Sequence, residues 1–89
     1  MKPSRSLIYD ALNKTERTLR LRGIHRQQNS NWASFYSAFL LSETEFSRGS
    51  QRVWQADELT QALIDLDIAY QRKMPKQSWS QYLADRLFT

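Results

Sequence analysis

Apolar side chains recur at three- and four-residue steps in four separate stretches of the chain, the spacing that aligns residues on one face of an α-helix. Ile8, Ala11, Leu12, Thr15 and Leu19 define the first such face, in a helix expected over about 4–22. Gly23 follows, where a left-handed residue ends a helix, and Ile24 then stands opposite Leu19 as the apolar pair of a Schellman stop. Trp32, Phe35, Tyr36, Phe39 and Leu40 form a second stripe, expected over 30–48, with Asn29, Ser30 or Asn31 as its cap. Its other face offers Ser34, Ser37, Ala38 and Leu41, small enough for a neighbouring helix to approach closely, so this helix is expected at the centre of the fold.

Leu59, Ala62, Leu63, Leu66 and Tyr70 mark a third helix over 57–73, with Asp57 as N-cap and Pro75 as the stop. Ile64, Leu66 and Ile68 also alternate with Asp65 and Asp67, as in a strand. The flanking residues favour helix, however, and no second strand exists to pair with it. Ser78 and Gln81 carry capping-box spacing ahead of Trp79, Tyr82, Leu83 and Leu87, which places the last helix over 78–88 and on to the chain's end. The expected architecture is all-α, a compact single-domain bundle of about four helices over 1–89. No repeat or low-complexity tract interrupts it.

Composition narrows the picture. Without cysteine there is no disulfide or thiolate metal site, and a reducing cytoplasm is the expected setting. The start, "MKPSRSLIYDAL", has no signal-like apolar run, and no stretch is long enough to span a bilayer, so a soluble, unprocessed chain without membrane contact is expected. Charge is unevenly spread. Residues 1–30 hold Lys2, Arg5, Lys14, Arg17, Arg20, Arg22 and Arg26 against only Asp10 and Glu16, while 56–71 hold Asp57, Glu58, Asp65 and Asp67 with no cation. Arginine outnumbers lysine nine to four, a bias suited to flat bidentate contacts with phosphate or carboxylate.

Catalytic chemistry finds no constellation here: there is a single histidine, His25, and no glycine-rich phosphate cradle or metal-ligand spacing. Asp65 and Asp67, two apart on a helix, point away from each other. A non-enzymatic protein without metal or cofactor is expected. The aromatic stripe of the second helix is assigned to the core rather than to base stacking, because no lysine or arginine lies between Asn31 and Ser47 to flank the rings. Tyr36 is the ring expected to show a polar edge. A groove-reading helix-turn-helix fits poorly, since the third helix carries four acids and the fourth one cation, Arg86.

Two functional readings remain. In the first, Lys14, Arg17, Arg20, Arg22 and Arg26 contact a polyanion without reading sequence, most plausibly nucleic-acid backbone in a larger nucleoprotein complex, with Arg48, Arg52, Arg72, Lys73 and Lys76 as secondary cations. Pairing of Asp10 with Lys14 and of Glu16 with Arg20 would instead make the first helix an ordinary solvated face. In the second reading the protein is an interaction module, an inhibitor or adaptor, that docks on an acidic protein partner or forms a homodimer. Ile64 and Ile68 lie opposite the core stripe and would supply the apolar contact, with Asp65 and Asp67 as its polar rim.

Overall fold

A computed structural model describes residues 2–88. Among these residues five helices follow in order: α1 (Arg5–Leu21), α2 (Trp32–Glu43), α3 (Phe46–Gly49), α4 (Ala56–Lys73) and α5 (Trp79–Leu87). There is no strand among the described residues, so the alternation around Asp65 is helical. The last residue, Thr89, lies outside the described residues, and the expected run of the final helix to the chain's end is therefore not followed there.

The punctuation of α1 follows from side-chain chemistry. Ser4 accepts the Leu7 N–H at its N-terminus. At the other end Gly23 takes φ 84°, Ile24 N–H donates to Leu19 C=O at 2.8 Å, and Gly23 N–H donates to Arg20 C=O at 3.0 Å, the two bonds of a Schellman stop. Ser78 caps α5 by accepting the Gln81 N–H. The third expected helix starts earlier than its acids suggest: Gln55, not Asp57, is the N-cap, and the Glu58 carboxylate reaches back to the Gln55 N–H at 3.2 Å. It ends as Met74 turns left-handed just before Pro75.

The expected second helix is two. Thr44 sits extended, its hydroxyl donating to Leu40 C=O and accepting the Phe46 N–H, so the chain turns before α3. That turn sends Phe46 into the core and Gly49 onto α1. Ser4 N–H donates to Gly49 C=O at 2.9 Å, and a Cβ at Gly49 would stand 2.7 Å from both Leu7 Cβ and Ser4 O. Only glycine permits this approach.

In the packing, α4 lies chiefly on α2 and α5 chiefly on α1. The buried hydroxyl of Ser37 meets the Thr60 hydroxyl at 2.6 Å, the close approach that small residues on α2 allow, although Ser34 and Ala38 remain exposed. Trp32, Tyr36 and Trp79 meet edge to face in a triangle with centroids 5.1–6.1 Å apart. Trp32, Tyr36, Phe39 and Leu40 are all buried; Phe35, of the same stripe, is 46% exposed. The ring at the surface is thus Phe35; Tyr36 is buried, with its edge turned to a polar cleft beside Arg20 and Arg26. No helix of the described residues is long and apolar enough to cross a membrane.

Candidate functional site

The cations singled out in the sequence divide by what their side chains touch. Arg26, in the loop after α1, is nearly enclosed: its side chain is 15% exposed, its Nε donates to Glu16 at 2.9 Å, and its Nη1 donates to Asp67 at 2.8 Å. Its guanidinium also lies 4.1 Å from the centre of the Trp79 ring. Asp67 is itself buried, and its carboxylate accepts further bonds from Trp79 Nε1 at 3.0 Å and Gln71 Nε2 at 2.9 Å. Asp67 therefore does not form a polar rim beside Ile68; it anchors a network inside the fold. The backbones of α1 and α4 do not approach each other closely, and the chain Glu16–Arg26–Asp67 links them.

That network decides the state of α1. Glu16, the carboxylate expected to pair with Arg20, is held by Arg26, and Lys14 reaches across to the Glu43 carbonyl at 3.0 Å instead of pairing with Asp10. Arg17 and Arg20 are exposed and meet no carboxylate among the described residues. Together with Asn13, Glu16 and Leu21 they line a shallow trough of about 240 Å³ along α1. Leu21, at its end, is 84% exposed. Arg22, also exposed, stands 5.8 Å from the centre of the Phe39 ring on α2.

Arg20 and Arg26 converge with His25, Gln27 and Tyr36 on a cleft of about 80 Å³. Here the Tyr36 phenol is pushed up to about 12, first by burial and then by the Glu16 carboxylate, against the opposing pull of Arg26 and Arg20.

The secondary cations lie elsewhere. Arg48 pairs with Glu45 at 2.7 Å, and Arg52 pairs with Glu58 at 3.0 Å while stacking 4.0 Å from the Trp54 ring centre. Arg72 and Lys73 end α4, where they complement the helix dipole, and Lys76 is exposed in the turn that follows. Ile64 packs half-buried against the core, and Ile68 is 46% exposed.

Sequence reasoning missed Phe35 as a surface ring and Asp67 as a buried anchor. A signal for the first existed, since Phe35 sits at the margin of its stripe. None existed for the second, because its partners Arg26 and Trp79 come from other elements. Comparison of the chain with protein-family models, curated proteins and solved structures finds no match.

Proposed function

We propose that this protein is a non-enzymatic accessory module whose α1 contacts the backbone of a polyanion, nucleic acid within a larger assembly, through Arg17, Arg20 and Arg22. One observation carries the reading. The carboxylate best placed to neutralise α1, Glu16, bonds Arg26, which leaves Arg17 and Arg20 exposed and without an ion pair among the described residues. An exposed arginine without a carboxylate keeps its planar donor fork for phosphate. Arg26 itself drops out of the contact set, since its donors serve Glu16 and Asp67. Neutralising phosphates releases counterions, so binding should weaken steeply with salt and depend little on sequence.

The test replaces Arg17, Arg20 and Arg22 with glutamine and measures affinity for a generic duplex and a generic single strand across a salt series. The variant should bind more weakly, with a log–log salt slope shallower by up to about three units. An unchanged slope, or no binding by the natural chain at low salt, would end this reading. The exposed Leu21 beside the same arginines favours a second one, an acidic protein docked on α1. That reading predicts no nucleic-acid binding but salt-sensitive capture of a purified acidic partner.

A further inference from the structure

Helix α2 breaks its own pattern at one residue. Trp32, Tyr36, Phe39 and Leu40 are enclosed, whereas Phe35 leaves nearly half of its surface in water. At about 100° per residue, Phe35 lies about 40° further round α2 than Phe39, on the side away from Tyr36. The helix carries no cation of its own between Asn31 and Ser47, but α1 packs beside it and supplies them. Arg22 stands 5.8 Å from the centre of the Phe39 ring, one helical turn along α2 from Phe35. Arg20 lines the cleft with Tyr36 on the opposite margin of the stripe. A feature absent from the sequence of either helix, a half-open ring one helical turn from a ring that carries a guanidinium, is assembled by their packing.

Resting on the polyanion reading, we infer that the nucleic acid contacted by α1 is single-stranded, with a base stacked on Phe35 and an adjoining phosphate taken by Arg22. The faces of duplex bases are covered by their neighbours, so an open aromatic ring is useful only toward an unstacked base. The ring offers no hydrogen-bond donor or acceptor, and any base presents a π-face to it, which suits contact without sequence preference. A partner helix would need a row of apolar anchors along a groove. Phe35 is one ring, and one base matches it.

The experiment measures fluorescence anisotropy of labelled fifteen-residue oligo-dT, oligo-U and a duplex of equal length, at low and moderate salt, with the natural chain and the variants Phe35→Ala, Phe35→Leu and Phe35→Trp. Far-UV circular dichroism checks that each variant is folded, as expected for an exposed position. Both single strands should bind more tightly than the duplex. Phe35→Ala should weaken single-strand binding about 5- to 150-fold while leaving duplex affinity and the salt slope unchanged. Phe35→Leu, which keeps apolar area without a π-face, should resemble the alanine variant, and Phe35→Trp should retain binding.

Equal affinity for strand and duplex, untouched by Phe35→Ala but steeply salt-dependent, would overturn the stacking inference and leave the α1 contact standing. Full single-strand binding by Phe35→Leu would overturn it as well. Absence of binding to all three nucleic acids would overturn both proposals and point to a protein on this surface.

Discussion

Arg20 and Arg26 border the same small cleft, six residues apart, and are in opposite electrostatic circumstances. Arg26 is enclosed, paired with two carboxylates and laid against an indole; Arg20 is exposed and meets no carboxylate among the described residues. The same side chain thus serves the fold in one place and remains available in the other. What separates them is the allocation of a single carboxylate, Glu16. On a straight helix Glu16 and Arg20 are neighbours at i,i+4, a pairing that contributes only about 0.2–0.5 kcal/mol. The Schellman stop at Gly23 turns the chain so that Arg26 arrives over Glu16 from a less exposed side, where screening by water is weaker and the contact stronger.

The comparison can be broken most forcefully at Arg26. Arg26→Ala leaves Asp67 buried without its counter-charge and frees Glu16, and should cost about 3–5 kcal/mol in a denaturant titration. A loss below about 1 kcal/mol, the scale of ordinary surface changes, would mean that the network does not hold α1 to α4.

Next in size is the phenol that both arginines face. In the unfolded chain Tyr36 gives up its proton near its ordinary value of 10.0, and in the folded protein only at about 12. Below pH 10 both states hold the proton and the shift has no effect on stability. As pH rises from about 10 to about 12 the unfolded state alone ionises, and stability falls. Tyr36→Phe removes that component, so its stability should decline less than that of the natural protein across this window; parallel declines would show that Tyr36 does not titrate differently in the two states.

The smallest effect belongs to the free arginines. Arg17→Gln and Arg20→Gln should each change stability by less than about 0.5 kcal/mol, since neither side chain pairs with a carboxylate among the described residues. A larger loss in the Arg20 variant would show that it has a role in the fold.

Local chemistry made much of the fold readable in advance. Gly23 with Ile24 and Leu19, Ser78 with Gln81, and the stripes of α1 and α5 depend on residues within one or two turns, and sequence order reports such relations directly. The break at Thr44 was less legible, because a threonine inside a helix and one that ends it differ only in where its hydroxyl bonds. The start of α4 was misplaced for a similar reason: Asp57 is a better cap by type, but the Glu58 carboxylate bonds back to Gln55.

The candidate site was legible only as a set of cations. Which of them are free depends on contacts between residues 10 and 41 apart, from Arg26 to Glu16 and to Asp67. The alternating pattern around Asp67 suggested a solvated position, and Arg26 and Trp79, which make its burial favourable, reach it from elsewhere in the chain. Phe35 illustrates the converse. Its helical spacing matched the core stripe, but the neighbouring helices do not cover that margin of α2.

The allocation of Glu16 is measured most directly by two double-mutant cycles in folding stability, one with Glu16→Gln and Arg26→Gln and one with Glu16→Gln and Arg20→Gln. The cycle with Arg26 should return a coupling of about 1 kcal/mol or more, as expected for a shielded, hydrogen-bonded ion pair, and the cycle with Arg20 less than about 0.3 kcal/mol. A coupling between Glu16 and Arg20 that equals or exceeds the coupling to Arg26 would contradict the account, because α1 would then carry its own counter-charge and the exposed arginines would not be free.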